Sequence, residues 1–317
     1  MALSIQATDV IGREHAFRPI KGDVLFIGRQ SVLFTPAELA SQLRSHGLTV
    51  DAGAIEIDRS TINRLPGYGE LATDRSIFHA LGIDSVKALD VSAYEGAEIV
   101  HDLNLPIPDA LKECADFIVD GSTLDNVFDP ASALRNYARL LRPGGRLVMV
   151  NAMNTREGCY IICPADWYLD YFVANGFADC RVYVCAAYSN SVNCYWLNTH
   201  TIAAERRTRP YVFPIMWWRY FTVVFAEKGP ASTSDVSPVQ QPYRSPADWD
   251  RYVALLAPIN SSTRPHMARS RGVIPRFARR GYSWMDREFQ PREIMPSLPR
   301  RIARSLIRRG FQLAGAA

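Results

Sequence analysis

The sequence predicts an α/β fold in which a mostly parallel sheet is buried between helices on both faces. Three observations predict it. Short runs of branched apolar residues recur as VKALD (86–90), EIVHD (98–102) and ADFIVD (115–120). Such runs are what a strand covered on both sides requires. Each run closes on an aspartate, Asp90, Asp102 or Asp120, at the position where the carboxyl edge of an open α/β sheet presents side chains to a ligand. A helical stretch over 129–141 then stops at Arg142-Pro143-Gly144-Gly145 and returns to the strand RLVMVN (146–151), the punctuation of a crossover connection.

Taken in order, residues 1–20 show no clear period and read as a lead-in that packs on the domain. VLFI (24–27) is the first strand of the sheet and runs into Gly28-Arg29-Gln30. A glycine at such a turn lets backbone approach a ligand with no Cβ in the way. Thr35-Pro36-Ala37-Glu38 is a helix start, with a threonine cap, proline at the first helical position and glutamate at the third. Leu39, Leu43 and His46 share one face of that helix, and Gly47 ends it. Residues 48–84 form a long insertion carrying Pro66-Gly67-Tyr68-Gly69 and a short amphipathic helix over 76–82. A substrate lid and a surface elaboration both account for it. His79 lies on the apolar side of the short helix and reads as a packed side chain.

Beyond Asn151 a loop leads to a helix that starts near Pro164 and closes at Asn175-Gly176-Phe177. Residues 180–187 and 219–226 alternate as strands. Between them lies an aromatic-rich segment with His200, Arg206, Arg207 and Arg209, in which Met216-Trp217-Trp218 reads as packing rather than as an acceptor site. Residues 229–245, rich in Pro, Ser and Gln, read as a linker. A helix over 247–256 opens an arginine-rich extension, 246–317.

The 317 residues are 48% hydrophobic and 21% charged, the balance of an ordinary globular chain able to bury a full core. The first residues lack the apolar stretch of a secretory signal, and the most apolar later run (211–226) is broken by Pro214 and Arg219, so no membrane span is expected. The six cysteines show no CxxC spacing; they read as small core residues in a reducing cytoplasm, with a metal site at Cys159 and Cys163 as the lesser alternative. The net charge of +4 is unevenly spread: from Arg264 onward thirteen arginines face three acids, a balance of +10 that leaves −6 on the rest. Near the C-terminus Ile302, Leu306 and Phe311 form an apolar stripe among Arg300, Arg301, Arg304, Arg308 and Arg309. That pattern suits a helix on an anionic membrane surface, and equally a helix docked on the protein's own acidic body.

The block Asp120-Gly-Ser-Thr-Leu-Asp-Asn-Val-Phe128, followed by Ala138-Arg-Leu-Leu-Arg-Pro-Gly-Gly-Arg146, resembles the central region of class I S-adenosylmethionine-dependent methyltransferases. Gly28-Arg29-Gln30, the stretch 90–97 and Ile99-Val-His-Asp-Leu-Asn104 resemble one bacterial branch of methyltransferase-like proteins. The resemblance covers residues 21–228. It implies a Rossmann-like, seven-stranded, mostly parallel sheet in a domain of residues 1–228, whose last two strands pair as a hairpin. It also implies S-adenosylmethionine as cofactor, with Gly28, Arg29, Gln30, Asp90, Asp102, Leu103, Asp120 and Gly121 in its site. Asp90 would meet the ribose hydroxyls, Asp102 and Leu103 the adenine, and Asp120-Gly121 the methyl end. The chain departs from the pattern in having a single glycine in the first turn, Asn126 where relatives place histidine, and Glu157 and Cys163 where the branch has histidine and serine.

Methyl transfer asks chiefly for positioning, and for a base if the acceptor is a hydroxyl. Asp125, Glu157 and Tyr160 are the candidate catalytic residues, with His200 a more remote one. The expected function is methyl transfer to a small molecule or glycan by a cytoplasmic protein, with possible peripheral membrane contact through the arginine-rich segment. The alternative is a methyltransferase-fold protein that binds or scaffolds without transferring a methyl group. No aromatic-interleaved platform or Asn-Pro-Pro-aromatic motif points to nucleic acid, and no resident metal is expected.

Overall fold

The computed structural model of the protein describes residues 2–59, 69–153, 159–188, 194–198 and 218–260. Glu157, His200, Arg206, Arg207, Arg209, Met216, Trp217 and the arginine-rich residues 261–317 lie outside the described residues.

In chain order the elements are β1 (Ala2–Leu3), α1 (Ile5–Phe17), β2 (Val24–Ile27), β3 (Ser31–Val32), α2 (Pro36–Arg44), α3 (Ser76–His79), β4 (Val86–Asp90), β5 (Ile99–Val100) and β6 (Ala115–Asp120). There follow α4 (Pro130–Leu140), β7 (Leu141–Ala152), α5 (Ala165–Ala174), β8 (Asp179–Tyr188), β9 (Cys194–Asn198), β10 (Trp218–Glu227) and α6 (Pro246–Asn260). The main sheet has the order β5-β4-β2-β6-β7-β10-β8-β9. The first five strands are mutually parallel, and β10 is inserted antiparallel between β7 and β8. All seven expected strands are present in a Rossmann-like arrangement, with β8 and β10 paired as expected. An eighth strand, β9, pairs antiparallel with β8 inside the aromatic segment.

The period-free lead-in is in fact β1 and helix α1, with β1 pairing in parallel with β3. Its periodicity is masked because α1 buries Thr8 and Glu14 along with Ala7, Val10 and Ile11. The capping box of α2 forms as the sequence predicts: Thr35 Oγ1 accepts from the Glu38 N–H and Glu38 Oε2 accepts from the Thr35 N–H. Gly144, at φ +80°, turns the chain after α4.

Two cores lie on opposite faces of the sheet. Leu25, Ile27, Leu89, Ile118, Leu147 and Met149 meet α4 and α5 through Leu134, Tyr137, Tyr168, Leu169 and Phe172. Phe26, Val86, Phe117, Val119 and Val148 meet α1, α2 and α3 through Val10, Ile11, Leu39, Leu43 and Phe78. At about 1.5–3 kcal/mol per large apolar side chain buried, these faces hold the strand ends in fixed positions.

The stretch that reads as a linker is bound along α4 and α5. Tyr171 Oη donates to the Ser234 carbonyl (2.9 Å), Asn175 exchanges hydrogen bonds with Val236, and Arg139 pairs with Asp235 (2.5 Å). Arg244 then pairs with Asp170 at 2.5 Å, its guanidinium 3.9 Å from the centre of the Tyr252 ring and 5.0 Å from that of Trp249 on α6. The strap and α6 cluster with the sheet domain as one unit. Among the described residues no helix is long and apolar enough to cross a membrane.

Candidate active site

Strand connections diverge between β2 and β6, so the carboxyl ends of these strands flank the crevice where open α/β sheets bind ligands. At the end of β2, Gly28 has φ +71° and its N–H donates to the Leu89 carbonyl at 2.7 Å. That left-handed backbone is one glycine reaches without strain. The Arg29 N–H donates to Asp90 Oδ2 at 3.1 Å, so the first turn and the end of β4 are joined through the carboxylate expected to meet a ribose.

The anchor of this turn is a residue the sequence reading did not single out. Asp74, 1% exposed, accepts from Arg29 Nη2 (2.8 Å) and from the backbone N–H groups of Gln30 (3.0 Å) and Arg75 (2.9 Å). Burial pushes its carboxyl above the usual range, and Arg29 opposes the rise. Asp74 belongs to the long insertion, 45 residues from Arg29, and nothing local in the sequence signals the pairing.

Gln30 is buried and lies across the crevice. Its Nε2 donates to the Ile27 (3.1 Å) and Gly28 (3.2 Å) carbonyls and lies 3.5 Å from Thr123 Oγ1, which donates to the Ile27 carbonyl. A Cβ on Gly121 would stand 2.6 Å from Gln30 Oε1 and 2.7 Å from Leu3 Cδ2, so only glycine allows this approach. Two buried polar atoms of the turn, Gln30 Oε1 and Arg29 Nε, have no hydrogen-bond partner.

Beyond β5, Asp102 is half-buried, and its Oδ1 accepts from the backbone (2.9 Å) and side-chain (2.7 Å) N–H groups of Asn104, which hold its carboxyl below the usual range. Leu103 is buried beside it. Asn104 in turn accepts from the Asp129 N–H at the cap of α4.

Asp120 is fully buried at the end of β6. Its Oδ1 accepts from the Thr123 N–H (2.6 Å), while its Oδ2 accepts from the Leu124 N–H and from Tyr137 Oη, each at 3.4 Å. Burial, with the charge of nearby Asp125 adding to it, pushes the Asp120 carboxyl up to about 7. Its contacts shape the loop rather than face solvent.

Asp125, also fully buried, accepts at Oδ2 from Ser122 Oγ (2.6 Å) and from the Ala152 N–H (3.0 Å). Asn126 Nδ2 donates both to Asp125 Oδ1 (2.8 Å) and to the Ser122 carbonyl (2.7 Å). Ser122 itself has φ +74°, a left-handed backbone on a residue with a Cβ. The Asp125 carbonyl accepts from the Tyr160 and Ile161 N–H groups (2.9 and 3.3 Å). Tyr160 is 74% exposed and stands edge-to-face against Phe128, 82% exposed, with ring centres 6.3 Å apart.

Gly28, Arg29, Gln30 and Asp90 are therefore brought together, Gly121 and Asp120 face them across the crevice, and Asp125 is tied to Tyr160. Asp74, Ser122, Thr123 and Phe128 join the site as additions. Ser122 stands inside the quoted 120–128 block, yet its left-handed backbone is set by Asn126 and Asp125 and has no signature in composition or period. Cys159 and Cys163 join no group of three metal-ligating side chains among the described residues.

Residues 69–149 match a family model described as a methyltransferase domain. No curated protein matches the chain. Among solved structures, the CMeT domain of the citrinin polyketide synthase shares 13% identity over 71% of this chain and 52% of its own, with a TM-score of 0.37. Phosphoethanolamine N-methyltransferase 2 of Haemonchus contortus, solved with S-adenosyl-L-methionine, shares 10% identity over 69% of this chain and 52% of its own, with a TM-score of 0.35. The chain thus spans about half the length of each of these two. Burkholderia thailandensis 1,6-didemethyltoxoflavin-N1-methyltransferase shares 12% identity over 71% of this chain and 78% of its own, with a TM-score of 0.27.

Proposed function

We propose that this chain is an S-adenosylmethionine-dependent methyltransferase acting on a small molecule or glycan. The observation that carries the reading is the meeting of the Gly28 turn, Asp90 and the Asp102-Leu103 corner on one edge of the sheet, within and beside the 69–149 match. The residues present fit such a cofactor. Arg29 Nε is a buried donor and Gln30 Oε1 a buried acceptor without partners, complementary to the carboxylate and ammonium of an amino-acid end.

Asp90 would accept from ribose hydroxyls, and Leu103 would pack on the adenine with Asp102 at its rim. Gly28, Arg29, Gln30 and Gly121 would line the amino-acid end, held by the loop that Asp120 braces. When bound, the cofactor supplies an electrophilic methyl group on a sulfonium. The chain's own part is to hold an acceptor in line with it and to take a proton where the acceptor is a hydroxyl. Asp125 and Tyr160 belong to that second part, and Glu157 is proposed with them.

Calorimetric titration of the full chain with S-adenosylmethionine and S-adenosylhomocysteine tests the reading. Binding weakened by Asp90→Ala supports it, and no heat with either ligand overturns it. One specific observation favours the second reading, a fold that binds without methyl transfer: Gln30, Thr123 and Leu3 approach closely across Gly121. Cofactor binding with no methyl transfer to any acceptor would select it.

The arginine-rich residues 264–317 are proposed to contact an anionic membrane surface, each arginine there contributing on the order of 1 kcal/mol. Because α6 is bound to α5, the comparison to make is the full chain against one ending at Asn260. Equal, negligible pelleting of both with anionic vesicles would remove the membrane from the list of partners.

A further inference from the structure

Ser122 and Asp125 form a unit that the cofactor reading leaves unused. The serine hydroxyl donates to a carboxylate that is 0% exposed, at 2.6 Å, while Ser122 itself is half-buried in the open crevice. Asn126 fixes both partners, bonding the Ser122 carbonyl and Asp125 Oδ1, and the Ala152 N–H occupies the remaining side of Oδ2. Ser122 keeps φ +74° in this arrangement. A left-handed backbone on a non-glycine residue costs on the order of 1–3 kcal/mol and persists where the surroundings over-determine it. Asp125 has no exposed surface of its own, and the hydroxyl of half-buried Ser122 gives a proton a route to it.

The same residue carries the second half of the arrangement. The Asp125 carbonyl holds the Tyr160 N–H, and Tyr160 stacks edge-to-face on Phe128. Both rings are largely exposed, as are Leu105, which follows the Asn104 that bonds Asp129, and Ile162. Apolar side chains of this size at a site's rim are a seat for an apolar body. Phe128 lies in the loop after β6 and Tyr160 and Ile162 follow β7, strands removed from the β4 end that carries Asp90.

Resting on the methyltransferase reading above, we propose that the acceptor is an apolar-bodied hydroxyl compound of the phenol type. It sits on Phe128 and Tyr160 and loses its proton through Ser122 to Asp125. The acceptor O–H bond breaks and its proton goes to Ser122 Oγ, while the proton Ser122 held moves to Asp125 Oδ2. The acceptor oxygen uses its electron pair to bond the methyl carbon as the carbon–sulfur bond of the sulfonium donor breaks, its pair staying on sulfur. A sulfonium and a carboxylate become a thioether and a carboxylic acid, so charge balances. Burial raises the Asp125 carboxyl above its ordinary value, which suits it to receive the proton. The ionisable groups facing it are Asp120 at the end of β6, Tyr137 on α4, Tyr168 on α5, and Cys159 and Cys163 ahead of α5.

The test uses the full chain, 2-naphthol as the phenol probe and maltotriose as a glycan probe. Binding is measured calorimetrically without any methyl donor, and S-adenosylhomocysteine release is then followed against pH. The wild type is expected to bind 2-naphthol and not maltotriose, and Phe128→Ala to weaken the phenol about tenfold. Ser122→Gly, which suits φ +74°, is expected to melt within a few degrees of wild type and to keep its naphthol affinity. It should nonetheless lose about 100-fold in transfer rate, along with the fall in rate at low pH that protonation of Asp125 causes.

Maltotriose bound in preference to 2-naphthol, naphthol affinity untouched by Phe128→Ala, or a Ser122→Gly rate and pH profile like wild type would each overturn the proposal. Failure of S-adenosylmethionine to bind is read separately and overturns the methyltransferase reading. The donor-free naphthol titration still decides the seat.

Discussion

At the amino edge of the sheet, Arg146 meets Glu14 at 2.6 Å with both side chains buried, and its guanidinium also donates to the Arg18 and Pro19 carbonyls. Arg142 joins Asp23 and Asp116 on the same edge, and Lys228 reaches the Leu141 carbonyl and Glu113. At the carboxyl edge the acids bond mainly to turns and loops instead: Asp90 to the Arg29 N–H, Asp102 to Asn104, Asp120 to Thr123 and Leu124, and Asp125 to Ser122 and Ala152. Asp74, with Arg29, is the exception. Side-chain ion pairs lock one end of the strands, whereas the other end spends its carboxylates on loop shape. Both edges share the same strands, so the difference lies in what each must do: one closes the fold, the other holds a loop geometry a ligand can use.

The largest effect is expected from breaking the closed edge. Glu14→Ala leaves the buried Arg146 charge with two carbonyls and the face of Phe117, and removing one member of such a pair costs about 3–5 kcal/mol. Urea unfolding should show that loss while S-adenosylmethionine affinity stays within twofold. A loss under about 1 kcal/mol would mean that the two edges do not differ in the way described.

The second effect comes from Asp120, whose carboxyl is pushed up to about 7 in the folded chain, against roughly 3.9 when unfolded. A raised acid keeps its proton in the folded state while the unfolded chain releases it. Its contribution is therefore complete below about pH 4 and is lost as pH rises toward 7. At about 1.4 kcal/mol per unit, the decline is on the order of 4 kcal/mol. Asp120→Asn should flatten the stability curve over that window; an unchanged slope would place the titration elsewhere.

These two edges also separate what the sequence made legible from what it hid. The strands were readable because a doubly covered parallel sheet needs uninterrupted apolar runs, and each run ended on its aspartate. The cap of α2 was readable because a capping box is complete within four residues. Helix α1 was hidden because Glu14 faces inward for Arg146, 132 residues away. Asp74 was hidden because its partner lies 45 residues away in the sequence, and the 229–245 strap because its polar residues bond to α4 and α5 where the composition suggests solvent. Local rules reach local structure; long-range polar pairing leaves no periodic trace. The placement of Asp90 at the end of β4 was accordingly legible, and Asp125 was named as a candidate, whereas the left-handed Ser122 backbone and its bond to Asp125 were not.

A third measurement sharpens the open edge. Asp90 accepts only one close backbone hydrogen bond, from Arg29, with the Ser92 N–H at 3.4 Å, and so has capacity for ribose hydroxyls. Asp90→Ala should weaken S-adenosylmethionine binding by about 1.5–3 kcal/mol, or at least tenfold, with little change in unfolding midpoint. A stability loss without a binding loss would make Asp90 a turn brace like Asp120.

The smallest effect is expected at Ser122. Ser122 holds φ +74° against its own Cβ, whereas glycine adopts that backbone without steric cost. Ser122→Gly gives up the Ser122–Asp125 hydrogen bond, worth about 1.5 kcal/mol or more to a charged acceptor, and regains the strain, on the order of 1–3 kcal/mol. It also lets the unfolded chain sample more conformations, which takes back part of the gain. These terms nearly cancel, leaving a net change within about 1 kcal/mol. Ser122→Ala keeps the strain and loses the same bond, so it should be the less stable of the two by about 1 kcal/mol. Thermal unfolding of the pair isolates the strain from the bond. If the alanine variant proves as stable as the glycine variant, the left-handed backbone at Ser122 costs the fold nothing.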